Sequence, residues 1–162
     1  MSNKKQRGSH AATPLRIWLR LLTCTNLIES RVRGRLRTNF ATTLPRFDML
    51  AQLDMAARES REGLTMGELA RRLLVSNGNL TGLTSRLVKE GLVTRATSSY
   101  DRRAQRVRLT AAGKRAFDAM AADHRRWIES MLAGMDGAES KQLYELMGRL
   151  KDTVQHWKAE SA

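Results

Sequence analysis

The sequence predicts a mostly α-helical chain with a small β-hairpin wing, and three observations carry that prediction. Apolar residues recur at steps of three and four along the first and last quarters of the 162 residues, the mark of one-sided helices. Capping signals bracket two short helical runs between Thr65 and Glu90. After Gly91 the pattern alternates over residues 92–97 and again over 105–110, as in two strands. Helix, turn, helix and hairpin in that order make a winged helix-turn-helix, here flanked by N- and C-terminal helices suited to dimerisation.

Each element has its own reason. Residues 1–12 are polar and basic, with Lys4, Lys5 and Arg7, and read as a disordered arm. Thr13 before Pro14 is an N-cap followed by proline at the first helical position. Trp18, Leu22, Thr25, Ile28, Val32 and Leu36 then form a seam to about Arg37, beside arginines at 31, 33, 35 and 37, which gives an N-terminal dimerisation helix within 13–40. A second helix starts near Thr43 to Pro45 and buries Phe47, Leu50 and Leu53. Gly63 ends a linker, and Thr65 with Glu68 forms a capping box for a helix containing Leu69 and Leu73. Val75 and Ser76 interrupt it. Ser76 caps a further helix to Glu90 with Leu80, Leu83 and Leu87 inward, and Gly91 stops it. The winged module thus spans 43–110. Thr110 caps a long helix bearing Phe117, Met120, His124, Trp127, Met131 and Leu132, which Gly134 breaks. Asp136 with Glu139 caps the last helix, whose Leu143, Leu146, Met147, Leu150, Val154 and Trp157 make a second apolar seam. These C-terminal helices, 111–159, and the first helix expose more apolar surface than the central module covers, which points to a second copy.

Charge narrows the partner. The formal net charge is +13, and its placement is uneven. Residues 71–108 carry nine basic side chains against Glu90 and Asp101, whereas 109–162 balance eight against eight. A basic middle on a neutral scaffold fits a polyanion, double-stranded DNA above all. The helix from Ser76 to Glu90 offers Asn77, Asn79, Thr81, Ser85, Arg86 and Lys89 on its polar face. Asn suits adenine edges, Thr a thymine methyl, and Arg86 and Lys89 suit phosphates. Gly78 and Gly82 cost the helix about 1 kcal/mol each relative to alanine, which close approach to DNA would explain. At the hairpin tip Arg102 and Arg103 follow Asp101, with Arg95, Arg106 and Arg108 in the strands. Guanidinium groups suit the narrow minor groove, and Asp101 can orient Arg103.

Residues 91–93 (Gly-Leu-Val), 101–103 (Asp-Arg-Arg) and 107–113 (Val-Arg-Leu-Thr-Ala-Ala-Gly) together resemble the wing signature of the MarR family of bacterial regulators. The resemblance runs from about residue 14 to 158. It implies a homodimer with interlocked terminal helices, reading a palindromic operator as a repressor released by a small-molecule effector. The Asp-x-Arg pair of that wing maps to Asp101 and Arg103. The resemblance also implies an effector pocket between the dimer helices and the winged domain. Trp18, Arg46 and Phe47 are candidates to hold an aromatic carboxylate there. Residues 42–48 (Thr-Thr-Leu-Pro-Arg-Phe-Asp) are similar to regulators of aromatic-acid catabolism, some of which sense acyl-CoA thioesters. Arg33 and Arg37 are candidates for the phosphates of such an aryl-CoA thioester.

Other classes fit less well. His10, His124 and His156 lie far apart, with no nucleophile motif, metal spacing or Gly-rich phosphate loop, so no enzyme, metal or cofactor is expected. A nonspecific DNA-binding architectural protein would share the charge but has no need of the Asn, Thr and Gly pattern. Cys24 is the only cysteine and has no Lys or Arg directly beside it, so it reads as a small seam residue and not as a redox sensor. With no disulfide framework and no apolar run of about 20 residues, a cytoplasmic chain without membrane association is expected.

Overall fold

The computed structural model describes residues 13–59, 63–97 and 105–157. Along them run α1 (Pro14–Phe40), α2 (Leu44–Glu59), β1 (Leu64–Thr65), α3 (Met66–Leu73), α4 (Asn77–Lys89), β2 (Val93–Thr97), β3 (Gln105–Leu109), α5 (Ala111–Leu132) and α6 (Gly137–His156). The expected fold class, helical with a small hairpin, is the one found.

Local chemistry accounts for the boundaries. The Thr13 side chain accepts the Arg16 N–H and Pro14 opens α1. α1 runs past the expected Arg37 to Phe40, where Ala41 at φ 49° ends it. There the Ala41 N–H donates to the Arg37 carbonyl and the Thr42 N–H to that of Leu36, a left-handed C-terminal pairing. Thr110 caps α5 through its hydroxyl, which accepts the Gly113 N–H at 2.9 Å. The sheet has the order β1-β3-β2 and is antiparallel throughout, with Leu64 opposite Val107, Val93 opposite Leu109 and Thr97 opposite Gln105. β1 is absent from the expectation, because two residues are too few to show any period.

The chain divides into two compact units, Met1–Asp123 and His124–Ala162. The core of the first is built from Leu36, Met49, Leu50, Leu53, Leu69, Leu80, Leu87, Val93 and Val107, all essentially inaccessible to solvent. Within it Asp54 is buried, yet its carboxylate receives Arg58 at 2.7 Å and the Lys114 ammonium at 3.2 Å, tying α2 to the start of α5. A buried charge is tolerable only with partners of this kind. In the second unit, Asp136 and Glu139 exchange backbone bonds in the expected capping box. No residue of α6 is buried, and its apolar stripe faces outward.

Candidate nucleic-acid interface

The two short helices and their turn are set by backbone chemistry. Thr65 caps α3, and the Glu68 carboxylate accepts the Thr65 N–H at 2.7 Å. That backbone bond is the main reason the Glu68 carboxyl is held below its ordinary range. Leu74 ends α3 in the left-handed region at φ 54°, with 92% of its surface exposed. Ser76 occupies the N-cap of α4 as expected, but its side chain makes no capping bond.

α4 buries Leu80, Thr84 and Leu87. The expectation named Leu83 in place of Thr84; Leu83 is only half-buried, and the Thr84 hydroxyl is satisfied by donating to the Leu80 carbonyl at 2.7 Å. Asn79, Thr81, Arg86 and Lys89 are exposed and Ser85 half-buried, while Asn77 opens the helix. A Cβ added at Gly78 or Gly82 would meet nothing within 4 Å, so packing within the chain does not demand glycine at either position.

The hairpin carries fewer uncommitted arginines than its sequence promised. Arg106 donates to the Gly63 carbonyl at 3.0 Å and lies 3.6 Å from Glu68, bracing β3 against the start of α3. Arg95 is exposed and reaches back to the Ser85 hydroxyl at 3.5 Å. Asp101, Arg102 and Arg103 lie outside the described residues, and so does the expected Asp101–Arg103 bond.

Between helix and hairpin the segment Glu90-Gly91-Leu92 is held from both sides. Arg46, in the first turn of α2, grips both carboxylate oxygens of Glu90, the first at 2.8 Å. The bonds hold the Glu90 carboxyl below its ordinary range and raise the Arg46 guanidinium. From the other side, the Thr110 hydroxyl donates to the Gly91 carbonyl at 2.6 Å. A Cβ at Gly113 would stand 1.8 Å from the Leu92 carbonyl oxygen, so only glycine lets α5 start there. Gly91 itself sits at φ 70°, the left-handed stop that the sequence predicted.

The expected effector residues do not gather at one place. Phe47 is a core side chain, 6% exposed, with its ring centroid 5.7 Å from that of Phe117. The Arg46 fork is occupied by Glu90 and Arg33 is paired with Glu29, whereas Arg37 and Trp18 are exposed on α1. A cavity of about 410 Å³ opens elsewhere, between the start of α2, the end of α3 and α4. Its wall includes Thr43, Asp48, Leu73, Asn79, Leu83 and Arg86, and none of the five expected residues. Burial and the nearby Glu29 push the Asp48 carboxyl up to about 6, against an opposing pull from Arg33. Sequence reading missed Thr43 and Asp48 as pocket residues, and Glu90 as a partner, because no local pattern joins them. Glu90 did stand out as one of two acids in a basic stretch, which is the one signal available.

Comparison with known proteins agrees with this geometry. A family model described as "MarR family" matches residues 42–104. The chain is 31% identical over 107 residues to the transcriptional activatory protein BadR of Rhodopseudomonas palustris, an alignment covering 65% of this chain and 59% of that one. The chain thus spans less than two thirds of that relative. Among solved structures, AbsC, a MarR family transcriptional regulator from Streptomyces coelicolor, superposes with a TM-score of 0.75 at 19% identity, covering 92% of this chain and all of that one. The MepR–DNA complex of S. aureus gives 0.69 at 17% identity, with 90% and 99% covered.

Proposed function

We propose that the chain is a regulator of the MarR family, a sequence-specific DNA-binding transcriptional regulator acting as a homodimer on a palindromic operator; the family model over residues 42–104 and the fold shared with AbsC support the reading. The family is one of regulators, not of enzymes. The observation that carries the reading is the division of α4. Leu80, Thr84 and Leu87 are buried, while Asn79, Thr81, Arg86 and Lys89 stand exposed beside two glycines with open space above them. A helix of that kind can lie in the major groove, with Asn77, Asn79 and Thr81 toward bases and Ser85, Arg86 and Lys89 toward bases and phosphates. The hairpin then reaches the adjacent minor groove with Arg102 and Arg103, Asp101 orienting the latter. The resemblance to a protein solved on DNA supports this placement.

The regulator is released by a small-molecule effector, an aromatic carboxylate or its aryl-CoA thioester. Occupancy represses where the operator overlaps a promoter, although the R. palustris relative is named as an activatory protein, so operator position decides the sign.

Selection from a random duplex pool at physiological salt tests the function. An enriched inverted repeat with half-sites about 10 bp apart is expected. Enrichment of no sequence would leave an architectural DNA-binding protein instead. On the selected duplex, Asn79→Ala should relax base preference by about 1 to 3 kcal/mol. Arg86→Ala should weaken all sequences alike and lower the salt slope by about one. The opposite assignment of the two effects would overturn the docking described.

A further inference from the structure

The buried side of α4 meets two thioethers at one point. The Thr84 hydroxyl lies 3.7 Å from the Met66 sulfur of α3 and 3.9 Å from the Met49 sulfur of α2, and donates its proton to the Leu80 carbonyl at 2.7 Å. Thr84 and Met49 are wholly inaccessible to solvent. Met66 is half-buried and opens α3 beside its Thr65 cap. Three helices thus meet through sulfur under the middle of the helix offered to DNA, and one of the two sulfurs belongs to a residue that solvent reaches. A thioether suits that place because it is apolar, adaptable and at most a weak acceptor. It is also the group there that an oxidant can alter.

We propose that Met66 is a site of reversible modification, at which hypochlorous acid converts the thioether to the sulfoxide, and that the change unseats α4 and weakens DNA binding. The proposal rests on the DNA-binding reading and adds a covalent means of altering that activity. In the balanced step a sulfur lone pair attacks chlorine and releases hydroxide. A water oxygen then bonds to sulfur as chloride leaves, and the two protons of that water go to the hydroxide and to solvent. Sulfur is oxidised and chlorine reduced to chloride. The new oxygen is a polar acceptor where the thioether was apolar. It cannot accept from Thr84 while the single hydroxyl proton is held by the Leu80 carbonyl. Kept inward, the oxygen stays unsatisfied or breaks that bond within α4; turned outward to water, it withdraws the Met66 side chain and leaves a gap beneath Thr84. Either way α4 rests differently on α3, and Asn79, Thr81 and Arg86 move with it. Two other methionines bracket Met66 in access: Met49 touches the same hydroxyl but is shut from solvent, and Met55 is 52% exposed on α2.

Cys24 is exposed on α1 and competes for the oxidant, so the test is run on the full chain both unaltered and with Cys24→Ser. Each is treated with graded hypochlorous acid, sulfoxides are mapped by peptide mass spectrometry, and affinity for the selected duplex is read by anisotropy. In both proteins affinity should fall about 10-fold in step with conversion of Met66, and not with the earlier conversion of Met55. Methionine sulfoxide reductase should restore it. Met66→Leu keeps the volume and the apolar character, and should bind DNA as the unaltered chain does while resisting the oxidant. Met66→Gln places a polar group at the same point and should bind weakly without any oxidant. The oxidised chain should still melt cooperatively, because the change is confined to the seat of α4. Affinity that survives full conversion of Met66, or that falls as far in treated Met66→Leu, would overturn the proposal, and so would a loss that appears only as the chain unfolds. A Met66 that stays unconverted while DNA binding stands would remove the site alone. Failure of the untreated chain to bind any duplex would overturn the DNA reading and the proposed consequence together.

Discussion

Asp48 is a half-buried carboxylate with no ion pair among the described residues, and its charge works against the fold at neutral pH. Burial first, then Glu29, pushes its carboxyl from 3.8 to about 6, with Arg33 opposing. A folded-state value above the unfolded one means that the native chain holds the proton more tightly. The resulting stabilisation is complete below pH 3.8, falls away as pH rises toward 6, and is absent above it. We therefore expect Asp48→Asn to raise Tm relative to the unaltered chain at pH 7.5 and to make little difference near pH 4, as calorimetric melts across that range would show. A variant whose Tm advantage grows on acidification would mean that another group carries the shift. None of this was legible in the sequence, where Asp48 appeared only within a stretch compared with other regulators. Its environment is made by α1, which arrives from nearly twenty residues away.

At the level of elements, the legible features were those written into a few neighbouring residues. The Thr65–Glu68 and Asp136–Glu139 boxes, the Pro14 start and the Gly91 stop depend on spacings of four residues or fewer, and each formed as read. The polar face of α4 was legible because its leucines repeat. What escaped were contacts across long separations: β1 pairing with β3, and Arg46 with Glu90. The latter pair holds the junction between α4 and β2, whose other side is fixed by Thr110 and Gly113. The Glu90 side chain is 43% exposed, so solvent screens the pair and it contributes at most about 1 kcal/mol. Its effect on the angle between α4 and the hairpin should be larger than its effect on stability. Arg46→Glu is expected to weaken specific DNA binding about 10-fold while shifting Tm little, and Arg46→Glu with Glu90→Arg to restore it. Restoration failing in the double variant would show that Arg46 acts through something other than Glu90. Because Arg46 holds the Glu90 carboxyl below its usual range, this stabilisation is present above about pH 4.5 and is lost as pH falls through the lower folded value, opposite in sign to Asp48.

For the molecule as a whole the open surfaces are the terminal helices. On α6, Leu143, Met147, Leu150 and Val154 share one stripe at steps of three and four and are between 38% and 62% exposed, and Trp157, just past the helix end, is 73% exposed. α1 exposes Leu15, Trp18, Leu19 and Leu22 to a similar degree. Monomers rarely leave apolar surface on this scale open, and a second copy is the occupant that the proposed homodimer calls for. Two copies of a chain with net charge +13 also repel each other. Dimerisation and DNA binding should consequently respond to salt in opposite directions. Added salt screens the repulsion and leaves apolar burial intact, so the dimer should tighten between 50 and 300 mM chloride, while the operator complex weakens by about 10³-fold or more through counterion release. Sedimentation of the DNA-free protein at each salt, beside anisotropy on the duplex, reads both. Tm should also rise with protein concentration, since association stabilises only the folded chains. Met147→Asp with Leu150→Asp should yield a species that sediments as a monomer and has lost most of its affinity for the full palindrome, because two half-sites are then no longer joined. A variant that remains dimeric at micromolar concentration, or a Tm independent of concentration in the unaltered chain, would show that the α6 stripe is not where the copies meet.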